Sequence, residues 1–219
     1  INFPKWSKDG GPERLMAALK DSDDRTRLKK EIPRETLDDS WLTNFTQAQN
    51  KKYEGCLLTD IADDRDQDPW ETMFDLMIEE NLGVSMVGLG TNAHTLSAFV
   101  SHPYGMIASD AILFGEYPNP RTYGCFPLVL AEFVRAEKHL RLPEAIRKMT
   151  SFPAQRLGIP DRGLLRDGFK ADIVIFNPDT VKTDAKLGDP NHYPVGIDYV
   201  IVNGQVVVDQ GENTGALPG

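Results

Sequence analysis

The spacing of apolar residues predicts a mostly helical first third of the chain with one early strand. From Glu13 to Ile32 the apolar residues recur at helical spacing, and Asp21-Ser22 offers a cap that would divide this stretch into two helices. Trp41 to Phe45 is short and apolar, as expected of a strand. Asp68-Pro69 then opens a second helical stretch, whose apolar face runs from Trp70 to Ile78.

The middle of the chain alternates between strand and helix patterns. Val84 to Leu89 reads as a strand, Thr91-Asn92 caps a helix that ends before Pro103, and Gly105 to Asp110 reads as a strand buried on both faces. This order predicts a parallel βαβ unit with a right-handed crossover. An acid at the carboxyl end of a buried parallel strand lies where α/β barrels place catalytic groups. The alternative for Asp110 is that it only caps a turn or the next helix.

A long loop is expected directly after this acid, from Phe114 to Gly124, because the stretch is rich in proline, glycine and aromatic residues. Arg121 in this loop has two possible roles. Its guanidinium is suited to bind a substrate carboxylate, and it is equally suited to pair with a nearby aspartate for structural reasons. Helices are predicted from Pro127 to His139, from Leu142 onwards, and from Thr150 to a stop at Gly158.

The last part of the chain has the pattern of a small β domain. Ala171 to Phe176 predicts a strand. Tyr199 to Val202 and Gln205 to Val208 flank Asn203-Gly204, which is typical of a hairpin with a type I′ turn.

Composition narrows the classes of function. The net charge of −9 over 219 residues argues against a nucleic-acid-binding surface, which would need clustered lysine and arginine. Cys56 and Cys125 have neither metal-binding nor redox spacing, which favours thiols in a reducing compartment such as the cytoplasm. No apolar run reaches the ~18 residues of a membrane span, and no signal peptide is visible. The sequence begins at Ile1 without a methionine, and we interpret it as a processed or truncated piece.

Several motifs in the second half together resemble a known family. Three of them match the C-terminal β-sandwich signature of the amidohydrolase superfamily: Gly163 to Gly168, Ala171 to Phe176, and Val202 to Val206. Four more make the chain similar to the C-terminal part of D-aminoacylases, the N-acyl-D-amino-acid deacylases: Ser109-Asp110, Pro120 to Gly124, Arg147 to Thr150, and Asp189 to Pro194. The resemblance implies an α/β fold. Residues 1–160 would form the C-terminal part of a metal-dependent (β/α)8 barrel, and residues 161–219 would supply strands of a small β-sandwich domain.

The resemblance also implies a chemistry. Such enzymes use zinc to hydrolyse the amide bond of small N-acyl amino acids. Asp110 corresponds to the aspartate that binds or faces the metal and shuttles the proton, and Ser109, Arg121 and Tyr123 fall in motifs expected to bind the substrate. Zinc needs at least three protein ligands, and the four histidines have no partners at ligand spacing. The remaining ligands are therefore expected before Ile1. The expected partners are the missing N-terminal part of the polypeptide or another copy of the chain.

Departures from the family pattern leave alternatives open. Ala111 stands where the family has a glycine, and Asn119 replaces a histidine. The aromatic residue near Gly88 and the arginine near Ala98 that help hold a D-amino acid are absent, which leaves the substrate specificity open. The alternatives are a non-catalytic scaffold or interaction protein, and a cyclic-amide hydrolase of the dihydroorotase or hydantoinase kind.

Overall fold

The computed structural model describes residues 3–88 and 93–219, which group into two compact units. The first unit contains residues 3–88 with Leu113–Asn119 and Leu187–Asp189, and the second contains residues 93–112, Pro120–Lys186 and Pro190–Gly219. The predicted strand end at Leu89 and the predicted cap at Thr91-Asn92 lie outside the described residues. The predicted division at residue 160 stays a prediction.

Several helices of the first unit begin where an acidic side chain or a proline favours a start. The carboxylate of Asp21 accepts hydrogen bonds from the backbone N–H groups of Asp23 and Asp24 at 3.0 and 2.9 Å, which ends one helix and starts the next. Asp68 caps another helix in the same way. Both caps confirm the prediction. The helices are α1 Lys5–Lys8, α2 Pro12–Lys20, α3 Ser22–Glu31, α4 Glu35–Asp38, a 3₁₀ helix Ala48–Tyr53, α5 Leu58–Asp64 and α6 Pro69–Glu79.

A small antiparallel sheet completes the first unit. Its strands, in the order β2-β1-β3, are β1 Ser40–Asn44, β2 Cys56–Leu57 and β3 Ser85–Gly88. Leu42 of β1 lies opposite Met86 of β3. The strands predicted at 41–45 and 84–88 are thus confirmed, but the second pairs antiparallel with β1 and not within the predicted parallel βαβ unit with residues 105–110. The hydrophobic pattern locates a strand without fixing the direction of its neighbour, and here the neighbour β1 runs the opposite way.

The core of the first unit is dominated by large apolar side chains that are fully or almost fully buried. Burying one such side chain contributes about 1.5–3 kcal/mol to stability. Members that are at most 1% exposed include Leu19, Leu28, Leu37, Phe45, Leu58, Ile61, Phe74 and Leu76. The apolar face predicted for the helix after Asp68 supplies several members of this core, so the periodicity identified the buried side of that helix correctly.

The second unit has four α-helices and one π-helical segment among its described residues. They are α7 Ala93–Ser101, α8 Arg121–Leu128, the π-helix Val129–Ala136, α9 Leu142–Met149 and α10 Ser151–Arg156. The loop predicted to run to Gly124 is wrong in its last residues, because α8 already begins at Arg121. Pro120 explains this early start, since its backbone angles, φ −51° and ψ −27°, are helical and its ring fixes φ. No helix within 3–88 or 93–219 combines the length and apolar character needed to cross a membrane.

The strand predicted from Gly105 to Asp110 is not formed, and this corrects the predicted βαβ unit. This stretch pairs with no strand among the described residues. Its backbone is bound instead to α9, where the N–H of Ile107 donates to the carbonyl of Lys148 at 3.1 Å. A buried parallel strand requires neighbouring strands to accept its hydrogen bonds. The described residues provide none here, so an apolar run of strand length remains irregular.

A four-stranded antiparallel sheet forms the end of the chain. Its strands, in the order β4-β5-β6-β7, are β4 Ile173–Phe176, β5 Ile197–Val202, β6 Gln205–Asp209 and β7 Glu212–Asn213. Asn203 and Gly204 connect β5 to β6 with φ angles of +49° and +82°. Two positive φ angles define the predicted type I′ turn, and the strand predicted at 171–176 is also present.

Candidate functional site

The site is centred on Asp110 and Arg121, which the fold of the second unit brings together. The guanidinium of Arg121, at the start of α8, donates from Nη2 to Oδ2 of Asp110 at 2.7 Å. Its Nε donates to the backbone carbonyl of Asp110 at 3.2 Å. The Asp110 side chain is 80% exposed, so one carboxylate oxygen is held by the arginine while the group as a whole remains open to a reactant.

The backbone at Asp110 adopts an uncommon conformation. Its φ is +46°, in the left-handed region that aspartate tolerates better than most residues. Such strain is often found at functional positions and persists only where the surroundings enforce it. The bond from Arg121 Nε to the Asp110 carbonyl is one such constraint.

Ser109 and Tyr123, the other two residues expected to bind substrate, flank this pair along the chain. Ser109 is half-buried immediately before the acid. Tyr123 is half-buried in the first turn of α8, and its ring makes an edge-to-face contact with Tyr193 at 5.7 Å between centroids. This contact fixes one side of the Tyr123 ring. Substrate contacts for both residues remain predictions.

Close packing within the second unit holds α8 in place behind Arg121. Gly124 is buried, and a Cβ added there would lie 2.5 Å from the hydroxyl of Thr183, so only glycine fits. The thiol of Cys125 lies 3.6 Å from the carbonyl of Ala108 and donates to it. Burial raises the pKa of this thiol, and Arg121 opposes that rise only in part. Cys125 is therefore a neutral donor that ties the helix to the segment leading into Asp110.

Lys148 is a residue of this region that the sequence interpretation did not assign. Its side chain is completely buried, and its Nζ donates to the carbonyls of His102 and Gly105, the latter at 2.9 Å. Burial lowers the pKa of this ammonium group, and the charge of Glu144 opposes this lowering in part, whereas that of Arg147 adds to it. A signal was present in the sequence, because Lys148 lies three residues after the buried Ala145 and thus on the inward face of α9.

The described residues do not fit a complete zinc site. Residues 3–88 and 93–219 contain no group of three or more histidine, cysteine, aspartate or glutamate side chains that could hold a metal ion. Among the histidines, His139 contacts Glu137 at 3.1 Å, and His102 accepts a hydrogen bond from the backbone N–H of Tyr104. Asp110 could donate one oxygen ligand, which is fewer than zinc requires. No reaction step through a metal is therefore assigned to these residues.

Comparison with known proteins establishes the class. Residues 68–208 match the amidohydrolase family, and because this is more than half of the sequence, the chain belongs to that family. Within it, the chain is 44% identical over 116 residues to N-acyl-D-aspartate deacylase of Alcaligenes xylosoxydans xylosoxydans. This alignment covers 53% of this chain and 23% of the relative. It is 40% identical over 114 residues to D-aminoacylase of the same organism, over 52% of this chain and 24% of the relative. These similarities confirm the resemblance read from the motifs.

A solved structure gives the same result for the fold. The zinc and phosphonate-inhibitor complex of N-acyl-D-glutamate deacylase from Bordetella bronchiseptica superimposes with a TM-score of 0.72 and 32% sequence identity. The match covers 79% of this chain and 35% of that enzyme. The chain thus has the mixed helix-and-sheet fold of the amidohydrolases, and it spans about a third of that neighbour and about a quarter of the curated relatives.

Proposed function

We propose that these residues are part of a zinc-dependent amidohydrolase that cleaves the amide bond of N-acyl-D-amino acids, with Asp110 as the group that moves the proton. Membership of the amidohydrolase family and the names of the similar deacylases support the reaction class. The single observation that carries the site is the pairing of Asp110 with Arg121 at 2.7 Å. The pair places a carboxylate that can accept a proton, Asp110, beside a cation that can bind a substrate carboxylate, Arg121.

In this proposal each side chain has a separate task. Asp110 takes a proton from the attacking water and passes it to the leaving nitrogen, as amide hydrolysis requires. Arg121 binds the carboxylate of the N-acyl amino acid, for which a planar guanidinium is the best-matched side chain. Tyr123 and Ser109 line the substrate on either side. Zinc would supply Lewis-acid activation in the complete enzyme, with Asp110 as one candidate ligand and the remaining ligands outside residues 1–219.

The same proposal covers the architecture. Residues 1–160 would complete a (β/α)8 barrel and residues 161–219 a β-sandwich, each together with the N-terminal part of the polypeptide. The two free cysteines, Cys56 and Cys125, suit a reducing compartment such as the cytoplasm. We propose the N-terminal part of the same polypeptide as the primary partner, and a second copy of the protein as a further partner.

Hydrolysis by the full-length protein tests the function. Purified protein loaded with zinc is incubated with the N-acetyl derivatives of D-aspartate, D-glutamate and D-leucine, and with their L-enantiomers, and the free amino acid is measured. We expect release from at least one D-substrate and much slower release from its L-enantiomer. Equal activity on both enantiomers would contradict the proposed specificity for D-amino acids. The absence of activity on every substrate would overturn the proposed function.

A further inference from the structure

Lys148 makes an unusual set of contacts for a fully buried ammonium group. Its Nζ donates to two backbone carbonyls of one turn, those of His102 and Gly105, although removing an ammonium group from water carries a large cost. The turn directly precedes the segment that ends at Asp110. A charged side chain buried in this way strongly restrains the backbone that it binds, because charge-assisted hydrogen bonds are among the strongest in proteins.

Further bonds join the same helix to the same turn. The N–H of Ile107 donates to the carbonyl of Lys148 at 3.1 Å. From the preceding residue of α9, the guanidinium of Arg147 donates to the carbonyl of Pro103 at 3.3 Å. The last turn of α9 therefore holds the backbone from residue 102 to residue 107 through both side chains and main chain.

The turn also has little room to move. A Cβ added to Gly105 would lie 2.7 Å from the carbonyl oxygen of Phe99, 3.2 Å from that of His102 and 3.5 Å from Nζ of Lys148. Backbone atoms and the lysine thus surround this glycine closely. Any larger residue would displace the chain a few residues before Asp110.

We infer that Lys148 is a positioning residue for Asp110, which it holds in place by fastening the turn from His102 to Gly105. The segment from 106 to 110 has no partner strand among the described residues, so the position of the acid depends on α9 at one end, on Arg121 at the other and on the Cys125 thiol at Ala108. The catalytic part of this inference rests on the proposed function. The structural part does not depend on the substrate.

The inference predicts a specific kinetic effect. Asp110 accepts a proton in the chemical step, so its displacement should lower kcat while leaving KM nearly unchanged. Misplacement of a reacting group by about 1 Å costs up to about a hundredfold in rate. If Lys148 had a purely structural role, its replacement would lower the stability of the protein without lowering kcat selectively over KM.

The test compares full-length wild type with Lys148→Met, which keeps the length of the side chain and removes its three donors. Ile146→Ala is the matched control, because Ile146 packs against the core from the same helix and is not among the donors to the turn. We expect Lys148→Met to lower kcat about tenfold or more, with KM within about twofold. Hydrogen exchange followed by mass spectrometry should show faster exchange in peptides spanning residues 102–110. The control Ile146→Ala should lower the melting temperature and leave kcat and the hydrogen exchange of residues 102–110 unchanged.

Gly105→Ala disturbs the same turn through its backbone and replaces Lys148→Met in the test if that variant does not fold. We expect the same loss of kcat and the same faster exchange. Unchanged exchange at 102–110 in the folded variants, or an equal loss of kcat in Ile146→Ala, would overturn the positioning role. Failure of the proposed function is distinguishable, because it appears as an inactive wild type. In that case the exchange measurement alone decides whether Lys148 fixes the segment.

Discussion

Arg121 Nη2 lies 2.7 Å from Asp110 Oδ2, and Arg121 Nε binds the carbonyl of the same residue, so one guanidinium holds both the side chain and the backbone of the acid. The pair is largely exposed, with the aspartate side chain 80% and the arginine side chain 44% accessible. An exposed pair contributes little to stability, typically about 0–1 kcal/mol. Its value therefore lies in orienting the carboxylate, and both residues can be changed without unfolding the protein.

Replacing Asp110 by asparagine tests its role in proton transfer. Asparagine has the same shape and keeps an oxygen for Arg121, but it cannot accept the proton of the attacking water. We expect Asp110→Asn in the full-length enzyme to lower kcat on the order of a hundredfold or more. Asp167→Asn, at an exposed position in the same unit, is the control and should be fully active. Near-normal turnover of Asp110→Asn would show that another group moves the proton.

Arg121→Lys tests whether the guanidinium binds the substrate carboxylate. Lysine keeps the charge and loses the planar two-pronged geometry, so KM should rise about tenfold. The value of kcat should fall as well, because the same guanidinium orients Asp110. Steady-state kinetics on the best N-acyl-D-amino acid give both constants. Arg156→Lys, on the exposed side of α10, should leave them unchanged. An unchanged KM in Arg121→Lys would mean that the arginine only orients Asp110.

Local signals in the sequence predicted local structure well. The caps at Asp21 and Asp68 and the turn at Asn203-Gly204 were all predicted, because each depends on the conformational preference of one or two residues. Asp110 and Arg121, named as candidates from the residue pattern and the family resemblance, lie in contact, and their roles in catalysis stay predictions.

Features that depend on distant partners were predicted poorly. Met106 to Ala108 has the composition of a buried strand, yet strand formation needs a neighbour, and the sequence does not show whether one is present. The hydrogen bond from Lys148 to the carbonyl of Gly105 joins residues 43 positions apart, and no local pattern encodes such a contact. The pairing of β3 with β1 was not predicted for the same reason, because β1 lies far earlier in the chain.

Glu80 offers a test of stability in the first unit. The side chain is almost fully buried, and Oε2 accepts from the backbone N–H and the hydroxyl of Thr46 at 2.6 and 2.7 Å. Oε1 accepts from Asn50 at 2.8 Å. Burial acts to raise the pKa of Glu80, but hydrogen bonds from Asn50, Thr46 and Gln47 outweigh it and lower the pKa. In Glu80→Gln one oxygen becomes an NH₂ group that faces donors, which should lower the free energy of unfolding by about 1–3 kcal/mol.

The pH dependence of this loss has a definite sign. Because the folded pKa of Glu80 lies below the unfolded value of about 4.3, its contribution is fully present above that value and disappears as the pH falls through the folded pKa. Denaturant unfolding of wild type and Glu80→Gln should differ most near neutral pH and converge in acid. Glu212→Gln, at an exposed carboxylate, is the control. A difference that persists unchanged in acid would contradict the assignment.

The hairpin between β5 and β6 allows a test of backbone strain alone. Gly204 has φ +82°, and a Cβ added there would meet no atom within 4 Å. Gly204→Ala should therefore destabilise the protein by about 1–2 kcal/mol purely through its left-handed backbone. Gly219→Ala also adds a Cβ in open space, at a position without positive φ, and should be neutral. Thermal unfolding measures both, and equal melting temperatures would show that the turn relaxes without cost.

Residues 1–219 expressed by themselves should expose apolar surface that the proposed complete barrel and sandwich would cover. In β4, the edge strand of its sheet, Val174 and Ile175 are 53% and 49% exposed, and Leu165 before it is 80% exposed. An open strand edge with exposed apolar side chains favours association with another chain. We expect size-exclusion chromatography with light scattering to show self-association or aggregation. A monodisperse monomer would contradict this expectation.

The same 219-residue protein should not retain zinc. Zinc sites use at least three protein ligands, and residues 3–88 and 93–219 contain no cluster of three candidate side chains. Asp110 by itself, with one oxygen already bound to Arg121, is too weak a site to hold the ion through dialysis. Elemental analysis after dialysis should give much less than one zinc per chain, whereas the full-length protein prepared in parallel should keep at least one. Stoichiometric zinc in the 219-residue protein, lost on Asp110→Ala, would place a complete metal site within these residues and contradict ligands supplied from outside them.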